Sequence, residues 1–495
     1  MSVLANAAGG LAGGPDPRRR GRPALALVVV LLGYLTLPML MSGTTVALPR
    51  IGAELDASGP VLQWVVVGYF LAASCLMLVA GALGDLLGRR RVFAFGAAVY
   101  AAGALASALA PGILLLDAAR TLSGVGAAGV MGTGGAILGE TFTGPARTRV
   151  FAAVGSTAGV GMAIGPTLSG WLVGSLGWRA TFAAFAAAGV LIWAGTALMT
   201  ETRAAARPRI DVIGAVTLVS ALAMTMFGVN QAAEAGWDSA WVLVPLAVGV
   251  TLLAAFTVAE RRASHPVLDL TLLRDRRFTA WCLACLAVAA APAGVLAFLP
   301  TYLQGVDGAS PGAAGLTMLL LTAPVLVMPQ AGAWLVNRGV PARAIVTVGL
   351  LLLAAGNAWL TTLRPGIGAP GLAGPLVAIG AGMGLVIGVN DAQAMDQVRP
   401  DRLGMTAGLL STVRGGGATL ATTLFGTALI NLLQARDGAA ETAARIAAGQ
   451  LTGPDRALHA ARLTDAWEVV SWSVAAACAM LAVVIWAMLG PRRRG

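Results

Sequence analysis

Apolar residues in this chain come in runs of about twenty, one after another, with short polar breaks between them. A helix rises 1.5 Å per residue, so about 20 apolar residues cross the hydrocarbon core of a bilayer. No water meets backbone N–H and C=O groups inside lipid, so such runs must satisfy them internally, as helices. Fourteen candidate spans follow, near 24–48, 61–83, 92–110, 113–139, 150–173, 179–200, 211–230, 240–259, 278–303, 312–336, 343–362, 371–393, 404–433 and 466–489. The pair at 211–259 is the least typical, and the 404–433 run is long enough to tilt or to leave the membrane as helix. Composition points the same way. With 57% hydrophobic and 11% charged residues, the chain has too little polar surface to cover a soluble core; soluble domains carry about 25% charged residues. The expected class is an all-α polytopic membrane protein.

The basic residues test the count. The chain contains no lysine, and its 33 basic residues are all arginine. With the N-terminus inside and the spans alternating, 24 arginines fall in inner segments, 7 in outer segments and 2, Arg120 and Arg414, within spans. The inner clusters include Arg18 to Arg20, Arg89 to Arg91, Arg274 with Arg276 and Arg277, and Arg492 to Arg494. An odd error in the count would swap sides midway and erase the bias. Both termini are therefore expected in the cytoplasm. Heavy Ala, Gly and Arg usage suggests a GC-rich coding sequence, as in a high-GC bacterium.

Several function classes drop out. The net charge of +11 lies in short clusters between apolar runs, which is topology signalling rather than a nucleic-acid surface. Cys75, Cys282, Cys285 and Cys478 sit inside apolar runs, and Cys282-x-x-Cys285 has no second ligand pair. The two histidines, His265 and His459, lie in loops, so no His-based metal or catalytic site is expected within the membrane. A membrane-embedded enzyme would need clustered catalytic groups at one membrane face, and none is seen. Without lysine there is no phosphate-binding G-x-x-x-x-G-K-[ST] loop for ATP-driven transport. No cofactor is expected. Residues 1–23 lack a short apolar region with a cleavage site, and read as a cytoplasmic tail before an uncleaved span.

The sharpest motif lies between the second and third spans: Gly81-Ala-Leu-Gly-Asp85-Leu-Leu-Gly88-Arg89-Arg90-Arg91. Gly81 and Gly84 allow close helix approach. Asp85 sits at a helix end, where it can pair with an arginine or with the positive N-terminus of a neighbouring helix. Gly88 permits a tight turn. In the fifth span, Gly155, Gly159, Gly161 and Gly165 give small-xxx-small spacing, which brings helices to backbone contact in lipid; Pro166 then kinks or stiffens the helix.

The Gly81–Arg90 segment resembles the loop signature of the major facilitator superfamily. Three further segments agree in order. Leu116-Asp117-Ala-Ala-Arg120-Thr-Leu-Ser-Gly124 resembles the fourth-span motif. Gly161-Met-Ala-Ile-Gly165-Pro166-Thr-Leu-Ser-Gly170 resembles the fifth-span antiporter motif. Gly408-Leu-Leu-Ser-Thr-Val-Arg414-Gly resembles the penultimate span of the fourteen-span drug:proton antiporter family. The resemblance implies two six-helix bundles, 24–200 and 278–489, with an inserted helix pair at 211–259, an outer loop at 434–465 and tails at 1–23 and 490–495. It implies a conformational-switch loop of Gly81, Asp85, Gly88, Arg89 and Arg90, and a leak-tight seam of Gly161, Gly165, Pro166 and Gly170. Gly332-Ala-Trp-Leu-Val-Asn337-Arg338-Gly339 reads as a degraded repeat of the first motif.

Ionisable groups within a membrane are costly and default to function. Asp117, Arg120, Asp391 and Arg414 are the coupling candidates, with Asp117 three residues before Arg120 on one helix face and able to pair with it. Glu140 and Asp391 both lie near inner span ends. The chain departs from the family in span one, where Leu40 stands at the usual acid position and Thr45 at the usual asparagine. In span four, Gly132 replaces a proline and Ser123 a glutamine. Ser42, Thr45, Tyr69, Asn230, Asn357 and Asn390 are the candidates for a mostly apolar substrate cavity. The expected function is proton-driven export of lipophilic organic compounds by a monomer in the cell membrane. The alternative is a metabolite importer or uncoupled facilitator of the same fold.

Overall fold

The computed structural model describes residues 23–57, 59–202, 211–262, 268–437, 440–451 and 455–490. All regular structure among them is helical. The α-helices are α1 (Pro23–Leu55), α2 (Gly59–Leu87), α3 (Arg89–Ala108), α4 (Ile113–Thr141), α5 (Gly144–Leu176), α6 (Trp178–Gly195), α7 (Val212–Ala235), α8 (Ala240–Arg262), α9 (Arg276–Ala290), α10 (Ala293–Gly305), α11 (Pro311–Asn337), α12 (Ala342–Trp359), α13 (Gly368–Asp396), α14 (Leu403–Asp437), α15 (Ala440–Ala447) and α16 (Arg456–Met488). Thirteen of the fourteen apolar runs lie mainly on a single helix each, and the run at 278–303 is shared by α9 and α10. Among the described residues, twelve helical stretches are long and apolar enough to cross a membrane, with α9 and α10 counted as one. Helix α5 is not among these twelve, and α7 carries the shorter apolar stretch Ile213–Val229.

Local chemistry sets several boundaries. Gly88 at φ 112° and Gly177 at φ 84° turn the chain between α2 and α3 and between α5 and α6. Asp275 caps α9, accepting from Arg277 N at 2.7 Å and Phe278 N at 3.2 Å. The predicted span 278–303 is broken at Ala291–Pro292, where proline removes a backbone donor. The predicted outer loop 434–465 is partly helical. It contains α15, whose Ala443, Ile446 and Ala447 are buried, and α16 begins ten residues before its apolar run.

The chain divides into two compact units. One comprises residues up to Ala223 with 249–272 and 391–412; the other comprises 224–248, 273–390 and the residues from Val413. In the first unit, α1 and α5 run in the same direction. A Cβ on Gly43 would stand 3.1 Å from the Gly165 carbonyl oxygen, and Arg50 Nη1 donates to Val173 O at 3.2 Å. Helices α2 and α4 also run together, with Gly68 against Thr121 and Gly132 against the Met77 carbonyl. Helices α3 and α4 run oppositely, Gly103 facing Ser123 and Gly96 facing Gly129.

The second unit repeats these pairings. The α9–α10 pair runs with the later part of α14, Leu286 meeting Gly417 and Phe298 meeting Gly426. Helix α11 runs with α13, Leu321 meeting Gly380 and Met328 meeting Gly384. Helix α12 opposes α13, Gly349 meeting Val386 and Gly356 meeting Ile379. The internal repeat is faint in sequence because it resides in which helices approach, and small residues at different positions achieve that approach.

One end of the first unit is tied by Glu54, which accepts from Trp178 Nε1 at 2.6 Å and pairs with Arg179. The Trp178 N–H and then Arg179 hold the Glu54 carboxyl below the usual carboxylate range. The opposite end holds the candidate site.

Candidate functional site

The Gly81–Arg90 segment ends α2, turns at Gly88 and starts α3. This places Asp85 and Arg89 side by side. Arg89 donates to Asp85 Oδ1 from Nε at 2.9 Å and from Nη2 at 2.7 Å. Its Nη1 pairs with Glu140 at the end of α4, and its Nη2 also donates to Pro400 O at 2.8 Å. The guanidinium is 0% exposed, so this full set of acceptors is what makes its burial tolerable.

Asp85 has a second set of partners. Gly404 N donates to Oδ1 and Met405 N to Oδ2, each at 2.9 Å. These N–H groups belong to the first turn of α14, where the helix has no internal acceptor for them and the macrodipole favours an anion. Sequence reasoning anticipated a helix N-terminus for Asp85, and the structure identifies it. Gly81 is required here because a side chain would strike the Gly404 carbonyl. At Gly88 a Cβ would lie 2.6 Å from Glu201 Oε1. Glu201 in turn accepts from Arg90 N at 3.1 Å, and Thr202 O accepts from Arg89 N at 2.8 Å. Arg90 thus enters the cluster through its backbone. Two further pairs lie nearby, Arg147 with Asp396 and Arg402 with Asp269.

Arg120 occupies a different place within the first unit. Its side chain is fully buried. Nε donates to Val65 O at 3.0 Å, and the guanidinium lies 4.6 Å from the Tyr69 ring centroid and 5.4 Å from that of Phe182. Nη1 and Nη2 have no hydrogen-bond partner among the described residues. The expected pairing with Asp117 does not form. Asp117 is half-buried, and its Oδ1 has no hydrogen-bond partner among the described residues. Aromatic faces, rather than the carboxylate three residues away, receive the guanidinium. Tyr69, expected to face substrate, is 2% exposed and belongs to this cluster.

Gly161, Gly165 and Gly170 of α5 face α1. A Cβ on Gly161 would strike the Leu35 carbonyl, while one on Gly170 would meet only Val46 at 3.6 Å. Gly161→Leu is therefore expected to open the α1–α5 seam at a cost of about 1–3 kcal/mol. The purified variant should melt several degrees lower; an unchanged melting temperature would show the seam to be slack.

The other candidates are dispersed. Asn357 is fully buried, its Nδ2 donating to Leu353 O at 2.9 Å. Asn390 is 1% exposed, and neither amide atom has a hydrogen-bond partner among the described residues. Asp391 is 9% exposed, Arg414 is half-buried and Thr45 is exposed. Leu40, at the position of the missing acid, is buried. The side chains of Ser42, Asn230 and Pro166 lie outside the described residues, as do the tails 1–22 and 491–495. Sequence reasoning missed Pro400, Glu201 and Asp269. It did note Glu140 as an acid near an inner span end, the one signal available for that partner.

Comparison with known proteins places these features in context. The profile of the Major Facilitator Superfamily matches residues 30–422. The chain is 33% identical over 480 residues to a Streptomyces coelicolor protein named "Probable actinorhodin transporter", covering 91% of this chain and 81% of that one. It is 35% identical over 412 residues to a cephamycin export protein of Amycolatopsis lactamdurans, covering 81% and 84%. A solved structure of a proton:xylose symporter superimposes with a TM-score of 0.66 at 12% identity, covering 95% of this chain and 97% of the other.

Proposed function

Because the chain belongs to the major facilitator superfamily of multi-pass membrane transporters, we propose that it exports lipophilic organic compounds of the antibiotic or secondary-metabolite class by proton antiport. The observation that carries this reading is the buried Asp85–Arg89 pair, flanked by the partly exposed Glu140, with Asp85 bonded to the first turn of α14. A charged contact of this kind at a helix end can form in one state of a transporter and break in another, which is what alternating access requires. The names of the two relatives, an actinorhodin transporter and a cephamycin export protein, support the direction and the substrate class.

In this reading the chain is a fourteen-span antiporter. Helices α5 and α7 supply the two crossings beyond the twelve counted by length and hydropathy. Residues 24–200 and 278–489 form two six-helix bundles, 211–259 the inserted pair, and both termini are cytoplasmic. Gly81, Asp85, Gly88, Arg89 and Arg90 form the switch. Gly161, Gly165, Pro166 and Gly170 form the seam. Arg120, Asp117, Asp391 and Arg414 serve coupling, and Asn357 and Asn390 of the second unit face the substrate path. Asn390 has the strongest support, because a buried amide without partners among the described residues costs about 1–3 kcal/mol per unmet group. The buried Leu40 favours a second reading, an uncoupled facilitator, since an alkyl side chain cannot carry a proton.

Inverted membrane vesicles loaded with a pH-sensitive dye separate the two. Energised vesicles are challenged with actinorhodin, a cephamycin and a panel of lipophilic drugs. Compound-dependent proton release is expected. Compound transport without proton movement would establish the facilitator instead.

A further inference from the structure

Beyond α8 the chain returns to the cluster. Leu268 is buried at 6% exposure, and the Asp269 N–H points at Met405 Sδ at 3.4 Å. Asp269 Oδ1 accepts from Thr271 N at 2.9 Å and from its hydroxyl at 2.5 Å, an Asx turn that fixes the carboxylate. Its other oxygen pairs with Arg402. Arg402 closes the turn Pro400–Arg402 that leads into α14. Its neighbours on either side are those the switch uses: the Pro400 carbonyl bonded by Arg89, and the Gly404 and Met405 amides bonded by Asp85. The Asp269 and Arg402 side chains are 13% and 34% exposed, against 56% and 48% for Asp465 and Arg436, so solvent weakens this contact less.

We propose that Asp269 is a positioning residue for the switch: through Arg402 and Met405 it holds the first turn of α14 where Asp85 receives the Gly404 and Met405 amides. The segment that follows the inserted helix pair is then a second hold on the same helix end. Release of α14 in the transport cycle requires both acids to let go. The inference rests on the reading of Asp85 as the switch.

The test is amide hydrogen exchange on the purified full-length protein in lipid nanodiscs, following the peptide that contains Gly404 and Met405. No substrate is needed, and these two amides have Asp85 as acceptor. Asp269→Asn should speed their exchange about threefold, and Asp85→Asn about tenfold. The charge swap Asp269→Arg with Arg402→Asp should recover at least half of the lost protection. A role confined to folding the 268–272 loop would not be rescued by the swap. Faster exchange in Asp85→Asn with unchanged exchange in Asp269→Asn would overturn the proposal, and so would failure of the swap. Unchanged exchange in Asp85→Asn would instead remove the switch reading itself, along with the inference that depends on it.

Discussion

Asp85→Asn is expected to lower the maximal transport rate about ten- to a hundredfold while KM stays within about threefold. Asparagine has the right shape and the wrong chemistry. Asp85 offers acceptors at both oxygens, Oδ1 to Arg89 and Gly404 and Oδ2 to Met405. An amide turns one of these into a donor that faces another donor. It also strips the fully buried Arg89 of one of its two carboxylate partners. Breaking a buried pair typically costs about 3–5 kcal/mol, and relaxation toward the half-exposed Glu140 recovers part of it. A residual loss of about 1.4–2.8 kcal/mol gives the stated range. KM is spared because the cluster lies at helix ends and acts on the population of states rather than on bound substrate. A wild-type rate in Asp85→Asn, with the protein present at normal levels in the membrane, would sink the assignment.

Arg120→Ala is expected to abolish compound-dependent proton release, a loss of at least about tenfold, while the protein still inserts and folds. The second part follows from the partners. Among the described residues the guanidinium has one direct hydrogen bond, to Val65 O, and two aromatic faces. Its burial is therefore poorly compensated, and removing it relieves a desolvation cost that offsets the cavity left behind. Arg120→Lys retains the charge but loses the planar stacking on Tyr69 and Phe182, and should recover only part of the activity. The readout is dye-reported proton release together with the melting temperature. Normal proton release in Arg120→Ala would return the residue to a packing role.

Much of the fold was legible because lipid imposes simple rules. Run length set where helices form, and thirteen of the fourteen runs lie mainly on a single helix. Where the structure departs from the hydropathy reading, other forces acted. Pro292 broke one predicted span. Burial of Ala443 and Ile446 folded part of the predicted outer loop into α15. The site was half legible. The Gly81–Arg91 motif marked Asp85 and Arg89 because charge at a helix end within a glycine-rich turn has few other uses. Its partners lie 51 positions away at Glu140 and 319 away at Gly404, and no local rule reaches that far.

The Asp117–Arg120 expectation shows the limit from the other side. Helical spacing made the pair possible, but the packing of α2 and α6 set Tyr69 and Phe182 around the guanidinium, and the two charges did not meet. By itself the sequence determined that this is an all-helical membrane protein, where its helices lie and which motif carries the buried charges, because hydropathy and short-range turn chemistry act within a few residues. Only the tertiary structure decided which backbone amides Asp85 holds, that Arg120 faces rings rather than an acid, and that Asp269 returns to the start of α14, because partner choice is settled by which helix ends pack together.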